Sequence, residues 1–198
     1  LGYLDKIIEK DNIRRESLRK IYGNHTVTNS LGELNSQAYV IATPTSSHFE
    51  IARNLILNGK HVLIEKPVCK TVEEAEALRK IAKKANVKIA VGHVERFNPV
   101  VSYLKNWLTD KNLKIIETYR LSSLPQQVKD VGVFQDLGIH DVDVILSLIN
   151  SSVKSIHATS SEKNGRDVYT KASIQFKNGT CAFITTSWLS TSKTRKIY

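Results

Sequence analysis

Apolar and polar positions follow two different patterns along this chain. Up to about residue 93, short apolar runs alternate with segments whose apolar residues recur every three or four positions. Ala38-Tyr39-Val40-Ile41-Ala42, His61-Val62-Leu63-Ile64 and residues 88–91 are runs rich in β-branched residues that stop at breakers. Each is predicted to be a buried strand of a parallel sheet. Leu1-Gly2-Tyr3-Leu4-Asp5 reads as another strand, ending in an acid, and Thr26-Val27-Thr28 as a short one. Helices are expected between them. One covers 13–22 and stops at Gly23; the next carries Phe49, Ala52, Leu55 and Ile56 on one side, with Ser46 or Ser47 as its cap and Asn58-Gly59 at its close. A third runs from a Thr71–Glu74 capping box to about Ala85, with Val72, Ala75, Leu78 and Ala82 toward the sheet. Acids in its first turns and Lys80, Lys83 and Lys84 in its last suit the helix dipole.

Strands and helices in alternation imply right-handed βαβ units. Beyond residue 93 the pattern changes to a helix at 99–108, a strand at 114–122 and a helix at 136–149. Strands then follow at 154–161, 170–177, 180–189 and 193–198, with Asn178-Gly179 as a tight hairpin turn. The expected fold class is α/β. A partial parallel-sheet domain of the Rossmann type, residues 1–93, precedes a partial α+β domain, residues 94–198, whose open sheet is mainly antiparallel. No low-complexity linker separates them, so they are expected to share an interface.

Composition narrows the function classes. The 198 residues are 41% hydrophobic and 24% charged, as in ordinary globular proteins. No run approaches the roughly 18 apolar residues of a membrane helix. The start lacks the features of a signal peptide. Cys69 and Cys181 make no disulfide framework, which fits a reducing, cytoplasmic setting. The net charge of +10 divides evenly: residues 1–99 carry 16 basic and 11 acidic groups, residues 100–198 carry 13 and 8, so each half holds +5. That spread argues against a nucleic-acid arm and reads as a solvated basic surface, or more weakly as a field for anionic ligands. Met is absent, and both ends read as strands cut short. The chain is therefore expected to be a piece of a longer one.

The central strand delivers Glu65 and Lys66 to its carboxyl end, and Pro67 stops the run. Ligands of open α/β sheets bind beyond those ends. Lys66 is thus either a solvated loop residue or a site residue. Asp136 and His140 are four apart in a segment read as helical, which stacks them on one face. There a neutral imidazole can accept a proton, and a carboxylate can orient it and favour its charged form. A helix-start cap and an interdomain core histidine are the structural alternatives. Asp141 and Asp143 raise the question of a metal, but no further His or Cys joins them at suitable spacing.

AYVIATPTSSHFEIA, HVLIEKP, VGHVERFNP and DVGVFQDLGIHDVD follow one another at characteristic distances. Together they resemble the glucose–fructose oxidoreductase, inositol dehydrogenase and MocA family of dinucleotide-dependent sugar dehydrogenases, over nearly the whole chain. GHVERFNP and DVGV–DLGIHD are most similar to its UDP-N-acetylglucosamine 3-dehydrogenases. The resemblance implies catalytic roles for Lys66, Asp136 and His140. It implies cofactor contacts for Thr43, Pro44 and His48 in the turn after a strand, for Glu65 near the nicotinamide ribose, and for Lys66. His48 is otherwise an ordinary first-turn helix residue. Asp5 stands where dinucleotide folds place the acid for the adenosine ribose, or is an ordinary strand-end acid; Lys6 beside it leaves room for NADP next to NAD. Arg96 and Asn98, with Asp136 and His140, are candidate substrate contacts, and Arg96 may be read equally as an ion pair with Glu95 or a nearby acid. The implied partner is a small sugar or sugar nucleotide, with homo-oligomerisation through the open sheet and no nucleic acid or membrane. A non-catalytic, cofactor-sensing regulator and a free-polyol dehydrogenase such as one for inositol are the alternatives. Two departures stand out. No GxGxxG loop occurs in these residues, so NAD binding by them alone is expected to be weak. Gln126-Gln127 replace the more proline- and arginine-rich loop expected in the subgroup.

Overall fold

The computed structural model of the chain describes residues 4–32, 35–108, 112–126, 128 and 130–198. The first unit opens with β1 (Ile7–Ile8), α1 (Asn12–Tyr22) and β2 (Val27–Thr28), followed by β3 (Ala38–Ile41), α2 (His48–Leu57), β4 (His61–Ile64), α3 (Val72–Ala85) and β5 (Ile89–Val91). β3, β4 and β5 form a parallel sheet in that order, and β1 pairs in parallel with β2 in a separate small sheet. Ile41, Val62, Ile64, Ala52, Leu55, Ile56, Leu78 and Ala82 make one apolar core between β3–β5 and the helices α2 and α3. Burying such side chains is worth about 1.5–3 kcal/mol each, which is what holds two helices of ordinary propensity against the sheet.

Local signals account for most boundaries. Asp11 caps α1 by accepting from the Arg14 amide, and Gly23 at φ 86° ends it. Thr71 caps α3 through the Glu74 amide, while the Glu74 carboxylate accepts from the Lys70 amide, one residue before the cap of an ideal box. Three expectations need correction. Leu1–Tyr3 lie outside the described residues, and Leu4 and Asp5 precede the strand, which is Ile7–Ile8. Ser47 does not cap α2, because its hydroxyl is held by Thr43 and Pro44 in a 3₁₀ turn, Thr45–Ser47. Val72 points to solvent instead of the sheet.

The second unit begins with a 3₁₀ turn, Val94–Phe97, then α4 (Pro99–Trp107) and β6 (Ile115–Ser123). A π-helical turn, Phe134–Gly138, leads into α5 (Ile139–Leu148), followed by β7 (Val153–Lys163), β8 (Arg166–Phe176), β9 (Cys181–Ser187) and β10 (Leu189–Ile197). The sheet order is β10-β6-β9-β8-β7; β6 and β9 run parallel and the other neighbours antiparallel. Two hairpins shape it. Asn178-Gly179 turns β8 into β9, with Gly179 at φ 88°. Asn164-Gly165, both at positive φ, turns β7 into β8. α5 covers one face of the sheet through Ile145 and Ile149, packed with Ile116, Ala172, Ile174, Ala182 and Ile184. Among the described residues, no helix is long and apolar enough to cross a membrane.

Candidate active site

The ends of β3, β4 and β5 lie side by side, because Ile41 pairs with Ile64 and Ile64 with Val91. The ladder continues past them, as Glu65 N donates to Ile41 O and Gly92 N to Ile64 O. Thr43, Glu65 and Gly92 therefore rim one edge. Gly92 leaves room there for the Glu65 carboxylate, since a Cβ would stand 2.9 Å from Glu65 Oε2 and displace it.

Lys66 crosses from this rim to the second unit. Its Nζ donates to both the carbonyl and Oδ1 of Asp136 at 2.8 Å. Both side chains are largely buried, at 19% and 14% exposure, so the pair is little screened and removing one partner would strand the other's charge. The π turn replaces the regular helix expected at 136–149 and changes the relation between Asp136 and His140. Asp136 is paired with Lys66, while His140 Nδ1 is buried with no hydrogen-bond partner among the described residues. Burial first, then the charges of Lys66 and Arg120, hold the His140 pKa down to about 4; they outweigh Glu95 and Asp136, which favour the charged imidazole, as expected of Asp136. A neutral imidazole with a vacant nitrogen results.

Behind His140 lies a cluster that sequence reasoning missed. Arg120, on β6, donates through Nε and Nη2 to Asp141 Oδ1 at 3.0 and 2.9 Å, and through Nη1 to Glu95 at 3.3 Å. Burial works against the Arg120 charge, but these bonds hold its pKa above the ordinary arginine value. Arg96 grips Asp143 with two bonds of 2.7 and 2.6 Å. Of its two expected roles, Arg96 thus shows the ion pair, with Asp143 as its acid. Asn98 caps α4 and donates to Glu95.

The expected cofactor contacts separate. Thr43 and Pro44 are exposed at the rim. His48 is only 1% exposed, and its ring nitrogens lie 3.0 Å from Pro67 O and 2.8 Å from Thr43 O. It clamps the β3 and β4 ends together, and no ring nitrogen is left for a ligand. Asp5 bonds the Ser36 hydroxyl ahead of its strand. The acid that follows β1 is Glu9, whose amide continues the ladder to Thr28 O and whose carboxylate accepts from the Asp11 amide. Gln127 lies outside the described residues.

A parallel sheet whose strand end carries Glu65 and Lys66 meets a second unit in which the π turn and α5, lying on a mixed sheet, carry Asp136 and His140; this is the architecture of a two-unit dinucleotide-dependent oxidoreductase. Comparison with known proteins agrees. Residues 3–93 match the family described as "Oxidoreductase family, NAD-binding Rossmann fold", and residues 92–197 match the GFO/IDH/MocA C-terminal domain. The chain belongs to the GFO/IDH/MocA family. It is 36% identical over 121 residues to UDP-N-acetylglucosamine 3-dehydrogenase of Acidithiobacillus ferrooxidans, covering 61% of this chain and 38% of that one. A solved structure of that enzyme superposes with a TM-score of 0.87 at 27% identity, covering 98% of this chain and 65% of the other. Similarity also reaches the NADP-dependent scyllo-inositol 2-dehydrogenase of Bacillus subtilis, 27% identical over 150 residues, which cover 68% of this chain and 42% of that enzyme. The chain thus spans about two fifths of the length of these curated relatives.

Proposed function

We propose that the protein containing this chain oxidises a sugar hydroxyl, of a UDP-N-acetylhexosamine by preference, with NAD. The observation that carries the reading is the meeting of Lys66, Asp136 and His140 where the two units touch. A bound nicotinamide would supply the hydride acceptor. The residues present fit its ribose ends: Glu9 follows β1, and Glu65 sits at the rim beside Gly92. An acid at Glu9 accepts bonds from a ribose diol and repels a 2′-phosphate, so NAD is favoured over NADP.

Oxidation of the C–OH group to a carbonyl releases a hydride from carbon, which a bound nicotinamide would take up, and a proton from oxygen, which His140 accepts. Lys66 Nζ stabilises charge on the reacting oxygen. Asp136 holds Lys66 in place and balances its charge. Burial keeps His140 neutral and so able to accept the hydroxyl proton, which becomes more acidic as hydride departs.

Sugar identity rests on similarity to the UDP-N-acetylglucosamine enzyme, with a free polyol favoured instead by similarity to the inositol enzyme. Initial rates of NADH formation by the full-length protein with UDP-N-acetylglucosamine, myo-inositol and glucose decide between them. Faster turnover of a free polyol would reassign the substrate and leave the chemistry intact. No turnover of any sugar would remove the reading. Assembly belongs to the same proposal. The sheet face away from α5 carries a shallow depression of about 570 Å³ lined by His157, Tyr169, Lys171 and Phe183. A second copy packing there predicts a dimer or larger in sedimentation, and Phe183→Glu should dissociate it.

A further inference from the structure

The segment 130–136 is gripped from both units. On the first, the Ser46 amide donates to Asp130 Oδ2 at 3.2 Å, and Lys66 binds Asp136. On the second, Asp167 Oδ2 in β8 accepts from the Phe134 amide at 2.8 Å and from the Thr170 hydroxyl at 3.0 Å. Gly132 permits that approach, since a Cβ there would lie 1.5 Å from Asp167 Oδ1. The carbonyl of Gly132 in turn accepts from the Asp136 amide at 3.0 Å. One carboxylate therefore holds the amide two residues before Asp136 and abuts the glycine that holds Asp136 itself. The Phe134 amide lies at the start of the turn, and the first amides of a helix lack acceptors within it, which is where an anionic partner is most effective.

We propose that Asp167 is a positioning residue: seated in the space left by Gly132, it fixes the π turn that delivers Asp136 to Lys66. Its effect on rate rests on the proposed function, whereas the anchoring does not. Asp167→Asn keeps a carbonyl oxygen for the Phe134 amide. Asp167→Ala removes the acceptor, and Gly132→Ala drives a methyl group into it.

Two readouts on the full-length protein test this separately: amide hydrogen exchange across residues 130–138, and single-turnover hydride transfer. In Asp167→Ala, exchange at Phe134 and Asp136 should quicken and hydride transfer should fall by about tenfold or more, because a misplacement on the order of 1 Å suffices for that. Cofactor affinity should hold, and Asp167→Asn should restore most of both losses. Gly132→Ala should resemble Asp167→Ala, and in the Asp167→Ala background it should add little, because its clashing partner is gone. If Asp167→Ala does not fold, Asp167→Ser, whose hydroxyl falls short of Phe134, is read the same way. Unchanged exchange at Phe134 and Asp136, full additivity of the two substitutions, or faster exchange with parental hydride transfer would each overturn the proposal. If the parent oxidises no sugar, the exchange data still decide the anchor, and the failure belongs to the proposed function.

Discussion

The two units bury different chemistry. Among the described residues of the first, the buried polar side chains are Thr45 and His48, and the rest of the core is apolar. The second buries Arg120, His140, Asp141 and Asp143, together with Thr118, Thr170, Thr180, Thr185, Thr186 and Ser187. The first unit thus offers a rigid rim of strand ends, and the second offers charges. An apolar core is tolerant of pH and salt. A buried ionic cluster holds its groups at fixed places, and each of its members depends on the others for compensation.

That contrast can be broken most severely at His140. Loss of the proton acceptor in His140→Ala should lower turnover by about 10²–10⁴-fold while cofactor affinity, set by the first unit, stays near parental. Steady-state rates and NADH fluorescence titration separate the two, and equal loss of both would mean that His140 is a packing residue. Next comes Arg120. Arg120→Ala leaves Asp141 and Glu95 uncompensated, and chemical denaturation should show a loss of about 3–5 kcal/mol. In the first unit Leu78→Ala should lose about 2–5 kcal/mol, through the cavity alone. Only the Arg120 loss should change with pH.

The acid limb of stability gives a smaller effect. His140 is held at about 4 against an ordinary value of 6.5. The unfolded chain therefore takes up this proton before the folded one does. The stabilisation is full above the unfolded value and is lost as pH falls through the folded one, by roughly 3 kcal/mol in all. His140→Gln should flatten the melting temperature between those pH values, and an unaltered slope would contradict the assignment. The smallest effect is expected at Arg96. Its own side chain is 54% exposed but that of Asp143 is only 10% exposed, so Arg96→Ala should cost about 1–3 kcal/mol through the carboxylate left without its partner.

The ease of reading each unit from sequence follows the same contrast. The β4 end is visible because an apolar run meets a charged pair and a proline in five residues. β1 is not, because Ile7-Ile8 is too short for any period and lies between charges; the apolar LGYL before it draws the strand assignment to residues 1–5, so that Asp5 reads as the strand-end acid, whereas the acid that follows the strand is Glu9. Asn164-Gly165 carries as strong a hairpin signal as Asn178-Gly179 and could have been found. Asp136 and His140 were legible as neighbours, but the π turn between them leaves no periodic signature. The Arg120 cluster joins residues 21 and 25 positions apart, with nothing local in the sequence to link them.

The account's central claim is that the site exists only where the units meet, through Lys66 and Asp136 acting as one device. Single-turnover hydride transfer, followed by nicotinamide absorbance, tests it in Lys66→Met, Asp136→Asn and the double variant. Residues that act as a unit are strongly non-additive, so the double variant should be no slower than the slower single one. Multiplication of the two single losses would show that Lys66 and Asp136 work apart, and would contradict the claim.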